Sequence, residues 1–216
     1  MKEIIVFGNG EHAKVVIDCI ECEDKYIIKA VVSEQETLMK ANFHQYEWFN
    51  FSKLESIGIK IGIIAIGDNF TRKMMVNKIT EIIPDFQFIT TIHPSATISK
   101  SATVGNGTTI FAGAIVNPFC KIGNHCTINT ASSIDHDSVM NDFSSIAPGV
   151  HTGGVVTIGK FSAISIGASI IHGISIGDNC VIGAGSTVID NIPGNSVAVG
   201  TPCKVIKPRN PGEKYL

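Results

Sequence analysis

From residue 98 onward a large aliphatic recurs at every sixth position: Ile98, Val104, Ile110, Val116, Ile122 and onward to Val188. Sixteen positions belong to this series, and Thr152 alone among them is polar. Four residues after each lies a second column, running from Ala102, Thr108, Ala114 and Cys120 to Ser186, in which nearly every residue is small. A period of six cannot be an α-helix, whose faces recur at 3.6 residues. It predicts a solenoid of short strands, with aliphatics stacked on aliphatics and small residues at the corners. Cys120, Cys126 and Cys180 fall in the small column as corner fillers, which weakens any disulfide or zinc reading of them.

Before residue 93 the pattern changes. "EIIVFG", "IIKAVVS" and "IGIIAIG" are short apolar runs of the kind found in buried parallel strands. "HAKVVIDCIE" and "FTRKMMVNKITEII" space their apolar residues by three and four, as amphipathic helices do. Residues 1–92 therefore read as a small α/β Rossmann-like unit, residues 93–206 as the solenoid, and 207–216 as a Pro-rich tail past the last coil. The first strand-to-helix turn, "GNGEHA", sets Gly8, Gly10 and Ala13 in G-x-G-x-x-A spacing, which lets backbone N–H groups approach an anion. The unit is too short for both halves of an NAD-binding domain. Cys19 and Cys22 sit inside the helical pattern and lack a partner pair, so no metal is expected there.

Composition narrows the classes. The chain has 216 residues, 44% of them hydrophobic and 17% charged, with a net charge of −2. That balance gives no electrostatic case for nucleic acid or an anionic membrane. No apolar segment approaches the roughly 18 residues of a membrane span, and the opening "MKEIIVFGNGEH" is broken by glycine too soon for an export signal. A cytoplasmic setting with reduced thiols is the expectation.

The six-residue period resembles the hexapeptide repeat of the left-handed parallel β-helix. In that fold three hexapeptides form one triangular coil, so 18 residues return the chain to the same corner about 4.8 Å further along. His136, two residues after the inward Ile134, then points outward near a corner. Adding 18 reaches Gly154, and adding 36 reaches His172. The stretch "VHTGGVVTIG" reads as the one register slip, with Gly153 and Gly154 forming a small loop that exposes main-chain N–H groups. A base, an adjacent carboxylate and a free N–H on one surface are the parts that acyl transfer requires.

Both halves, in this order, resemble the bacterial sugar O-acyltransferase family, which includes sialic acid O-acetyltransferases and nucleotide-aminosugar N-acetyltransferases. The matching pieces are "VFGNGEHAK", "AIGDN", "TIHPSATI", "INTASSIDHD", "IAPGV", "IGAGSTV" and "AVGTPCKVIK". The resemblance implies that His136 is the general base, tuned by Asp137, with Asn129 as an active-site polar residue and the Gly154 N–H meeting the acetyl carbonyl. It implies a nucleotide-linked amino sugar held by Gly8, Gly10, His12, Gly67, Asp68 and Asn69, with Ser33 at the end of the second strand. Acetyl-CoA would cross Gly154, Ile166, Gly167, Gly183 and Ala184. The assembly would be a homotrimer with active sites between subunits, using no metal.

Two departures stand out. Where many aminosugar members carry acidic residues after the second strand, this chain has Ser33 and Glu34. Where some carry a second histidine nine residues after the base, it has Ser145, so His136 is expected to act alone. The main reading is N-acetylation of a nucleotide-linked 4-amino-4,6-dideoxyhexose, and the alternative is O-acetylation of a sialic-acid-like sugar. A γ-type carbonic anhydrase would use His136 and His172 but also needs a histidine at position 177, which is glycine. A non-catalytic sugar-nucleotide-binding scaffold is the remaining reading. His44, His93, His125 and His151 read as structural or solvated.

Overall fold

The computed structural model of the chain describes residues 1–34 and 45–215; His44 lies outside them. The first unit runs β1 (Lys2–Phe7), α1 (Glu11–Glu23), β2 (Tyr26–Ser33), β3 (Glu47–Asn50), a 3-10 turn (Phe51–Ile57), β4 (Ile61–Ile64), α2 (Asn69–Ile82) and β5 (Gln87–Phe88). Its parallel sheet has the order β3-β2-β1-β4-β5. Ile4 to Phe7 of the central β1 are wholly buried, because helices and the solenoid cover both faces. The strands β3 and β5 escape sequence reading: "EWFN" mixes polarities, and β5 has only two residues.

From β6 (Thr91–Ile92) to β22 (Thr187–Val188) the chain forms two-residue strands spaced six apart, wound as a left-handed parallel β-helix. Each strand pairs with those 18 residues away: Val116 lies beside Ile98 and Ile134, and Ile146 beside Ile128 and Ile164. The ladder begins at Thr91, two residues before the composition changes. Every inward aliphatic from Ile110 to Val188 is buried, and the small column lines the corners at almost zero exposure from Thr108 onward.

The expected slip at 150–159 is absent. His151–Thr152 and Thr157–Ile158 keep the six-residue spacing and stay in register with the coils on either side. Thr152 is an inward residue whose hydroxyl accepts the Asp135 N–H at 3.1 Å. The interruption is one of chemistry, not of geometry.

Two seams hold the halves together. Arg72 of α2 is fully buried and reaches across to the solenoid: its guanidinium donates to the carbonyls of His125 (2.8 Å), Ile66 (2.9 Å) and Gly67 (2.9 Å), and to Asn69 Oδ1 (2.6 Å). Behind it, His125, Phe143 and Phe161 stack at 18-residue intervals with centroids 5.0 and 5.5 Å apart. Each occupies a corner residue with φ between 54° and 60°. At the other end, β23 (Ser196–Val199) joins the last coil and β24 (Lys204–Pro208) turns back antiparallel to it.

The tail after Pro208 folds onto its own chain. Arg209 is buried, donates to Asn179 Oδ1 (2.6 Å) and to the Glu213 carbonyl (2.7 Å), and lies 5.2 Å from the Tyr215 ring.

Candidate active site

The corner between the strands Ser133–Ile134 and Val139–Met140 carries Asp135, His136 and Asp137. His136 Nδ1 lies 2.8 Å from Asp137 Oδ2. A carboxylate can only accept, so Nδ1 carries the proton and Nε2 is left with its lone pair. The same hydrogen bond raises the His136 pKa above the ordinary imidazole value, with the Asp135 and Asp137 charges adding to it. Asp135 points the other way, accepting the His136 N–H at 2.8 Å and Asn117 Nδ2 at 2.8 Å.

One coil further on is Gly154. A Cβ at that position would stand 2.5 Å from His136 Nε2 and 2.6 Å from Cε1, so the imidazole lies directly over the bare glycine. At the next corner of the coils several such N–H groups are capped by a side chain 18 residues on: Asn106 by Asn124 (2.9 Å), Asn124 by Asp142 (2.8 Å) and Lys160 by Asp178 (2.7 Å). Among the described residues, the Gly154 N–H has no such partner. An imidazole lone pair and a main-chain N–H are thus neighbours, the kinds of group that proton abstraction and oxyanion binding use.

A second group of expected residues gathers elsewhere. A cleft of about 370 Å³ between the two halves is lined by His12, Gly67, Asn129, Ser145, Ile166 and Tyr215, among others. Its solenoid wall presents Thr127, Ser145 and Ala163, the small outward residues of three successive coils. Burial, with the nearby Arg72 charge, depresses the His12 pKa to about 4, so it is neutral at pH 7. His125 is held at about 4 in the same way, mainly by burial. Gly167 lies on the same solenoid corner as Ile166, and Gly183 and Ala184 lie on that corner one coil on.

The remaining positions each have a place in the scaffold as well. Gly8 has φ of 115°, and a Cβ there would meet the Ala65 carbonyl oxygen at 2.9 Å, so only glycine lets β1 turn beside β4. Gly10 is the N-cap residue of α1 and has open space around it. Asp68 caps α2 through Thr71 N (2.7 Å), and Asn69 donates to the Ser162 carbonyl (3.1 Å). Ser33 accepts from Trp48 Nε1 at 2.8 Å. Asp18, Cys22 and His93 bring possible ligand atoms within 4.8 Å of one another, but the Ser95 N–H donates to His93 Nδ1 at 3.1 Å. That bond leaves the proton on Nε2, which makes the free nitrogen a donor and not a ligand.

Two cleft residues were missed from sequence. Tyr215 receives the Asn69 N–H at 3.2 Å, and burial raises its pKa; Ser145 lies beside its hydroxyl. Nothing in a polar tail signals such a return. Ser145 was legible only as a departure from a pattern.

Residues 3–79 match the PglD N-terminal domain, and residues 155–190 match the bacterial transferase hexapeptide of six repeats. The UDP-N-acetylbacillosamine N-acetyltransferase of Bacillus subtilis is 33% identical over 118 residues, which is 52% of this chain and 52% of that enzyme. The match thus spans about half of that relative. Among solved structures, a histidine-to-alanine mutant of GDP-perosamine N-acetyltransferase from Caulobacter crescentus, in complex with CoA and GDP-perosamine, is 27% identical. It has a TM-score of 0.86 and covers 96% of this chain and 98% of its own. The acetyltransferase domain of PglB from Neisseria gonorrhoeae, in complex with acetyl coenzyme A, is 26% identical with a TM-score of 0.87, covering 95% and 99%. With both halves matched in the same order, the chain joins a PglD-type N-terminal domain to the bacterial transferase hexapeptide repeat and resembles hexapeptide acyltransferases over nearly its whole length.

Proposed function

We propose that this protein transfers an acetyl group from acetyl-CoA to the free amine of a nucleotide-linked amino sugar, in the class of the 4-amino-4,6-dideoxyhexoses. The observation that carries this is His136 Nε2 lying over the bare Gly154 amide with Nδ1 tied to Asp137. The amine attacks the thioester carbonyl directly, and His136 Nε2 takes its proton. Asp137 holds the tautomer and stabilises the imidazolium. The Gly154 N–H receives the oxyanion, and the thiol of CoA leaves. The kinship with two nucleotide-aminosugar N-acetyltransferases supports the choice of an amine over a hydroxyl.

The site is completed across subunits of a homotrimer. Within one coil, Asn129 of the cleft and His136 occupy successive corners, on either side of the strand Ser133–Ile134. One chain therefore holds the cleft and the base apart. Ile115, Phe119, Val155 and Ile171 are exposed apolar residues near His136, a surface suited to a second copy.

The test is thiol release from acetyl-CoA with a panel of UDP-, dTDP- and GDP-linked amino sugars against free sialic acid. Release with an amino sugar, lowered by orders of magnitude in His136→Ala at unchanged CoA affinity, is the expected result. Release with sialic acid alone would move the assignment to O-acetylation, and near-normal turnover in His136→Ala would remove the mechanism. Mixed trimers of His136→Ala and Asn129→Ala recover part of the activity only if the two residues serve one site from different chains.

A further inference from the structure

We propose that His172 is a second catalytic imidazole, placed to protonate the CoA sulfur as the thioester C–S bond breaks. This rests on the acetyl-transfer reading above.

The argument is one of ladder geometry. His172 lies two coils beyond His136, so with rungs about 4.8 Å apart their backbones are separated by roughly 9.6 Å. Their ring centroids are only 6.2 Å apart. The rings lean toward each other across the coil that carries Gly153 and Gly154, the one place between them without side chains. A Cβ on Gly153 would stand 2.6 Å from the His172 backbone nitrogen, and one on Gly154 would collide with His136. Gly154 leaves the room the His136 ring occupies, while Gly153 lets the coil backbones approach, as Gly105, Gly123 and Gly159 do elsewhere.

The amide between the rings is open. At the next corner Asp178 takes the N–H of Lys160, 18 residues before it; His172, in the same relation to Gly154, does not take that N–H. Along the solenoid axis the order is therefore His136 Nε2, the Gly154 N–H, and the His172 ring. The Asp135 carboxyl, turned toward Asn117, is held below the usual carboxylate range, first by the His136 N–H and also by the charges of His136 and His172.

A carbonyl whose oxygen accepts from Gly154 has two sides. The amine enters beside His136, which leaves the sulfur toward His172. The amine lone pair forms the C–N bond, and its proton goes to His136 Nε2. The C–S electron pair goes to sulfur, which takes a proton from the His172 imidazolium to give the free thiol. One histidine gains a proton and the other loses one, and both are exposed to solvent, which resets them.

The test compares wild type with His172→Ala and His172→Gln, measuring kcat, KM for the amino sugar, and the dissociation constant of CoA. The expected result for His172→Ala is a fall in kcat of about 100-fold, with CoA affinity and acceptor KM within twofold and partial recovery in added imidazole. His172→Gln keeps the volume and an N–H but cannot give up a proton, so its kcat falls similarly. A kcat within threefold of wild type in both variants overturns the proposal. So does a loss matched by weaker CoA binding, or one that imidazole leaves untouched. A wild-type protein that releases no thiol with any acceptor would instead remove the acetyl-transfer reading itself, and the role of His172 with it.

Discussion

Gly154→Ala isolates the geometry of the base from everything else. The new Cβ would lie 2.5 Å from His136 Nε2, 2.6 Å from Cε1 and 2.9 Å from Cδ2. Carbon contacts settle at about 3.5–4.0 Å, so the ring must retreat by roughly 1 Å. The backbone of residue 154 is outside the left-handed region and accepts alanine, so the imidazole alone has to give way. Its retreat stretches the 2.8 Å hydrogen bond to Asp137 and moves Nε2 off the line to the amide. A misplacement of about 1 Å costs on the order of 100-fold in rate, equivalent to about 2.7 kcal/mol of transition-state stabilisation. The displaced ring moves into solvent, so the Tm should change by no more than about 1–2 °C. Thiol-release kinetics and a thermal melt of the same preparation read both quantities. Gly153→Ala is the contrast: its Cβ would meet backbone atoms of Ile171 and His172, which cannot move aside, so it should lower the Tm as well as the rate. A Gly154→Ala enzyme with kcat within twofold of wild type would refute the reasoning.

Three further outcomes follow from other contacts. His136 acts as a base only when neutral, and its pKa is raised chiefly by Asp137, so the acid limb of the kcat/KM profile sits above the ordinary value of about 6.5. Asp137→Asn should move that limb to lower pH while cutting the plateau by at least about tenfold; an unmoved limb would separate Asp137 from the titration. Arg72→Met removes the donor to buried carbonyls of Ile66, Gly67 and His125, and should destabilise by about 3–5 kcal/mol in a urea melt, with a Tm lower by roughly 10 °C. Tyr215→Phe should raise KM for the amino sugar several-fold while leaving the melt nearly unchanged, and removal of residues 211–216 should raise KM further and lower the Tm, because buried Arg209 loses the Glu213 carbonyl; an unaltered KM would exclude Tyr215 from the substrate side of the cleft.

The sequence was most readable where one physical rule repeats. The period of six fixed the inward series from Ile98 to Val188, and steps of 18 brought His136, Gly154 and His172 into one column before any coordinates. It was misleading where a residue type changed without a change in backbone. Thr152 and the Gly153-Gly154 pair looked like a slip, yet the strand register continues through them, because a parallel ladder depends on backbone spacing and tolerates a hydroxyl inside if it is hydrogen-bonded. Least readable were contacts between the halves. In "FTRKMMVNKITEII" Arg72 has the look of a solvent-facing residue, and only the solenoid packed against α2 makes it the most buried cation described. The cleft has the same cause: His12 and Gly67 come from one half, Asn129 and Ser145 from the other, and Tyr215 from a tail that doubles back. No local pattern encodes such meetings.

The reversal at β24 has a consequence for how this molecule behaves in a crowded solution. A solenoid of parallel rungs ends in unpaired backbone groups, an open template on which another chain could stack and begin a fibre. Here the last rung of the longest sheet runs antiparallel to its neighbour, and it sets Lys204, Lys207 and Pro208 along the outer margin. At the opposite margin, helix α1 lies over Thr91, with Glu23 accepting its hydroxyl at 2.8 Å. Growth by simple stacking is thereby blocked at both ends of that sheet: by charge and a missing N–H at one, by a helix at the other.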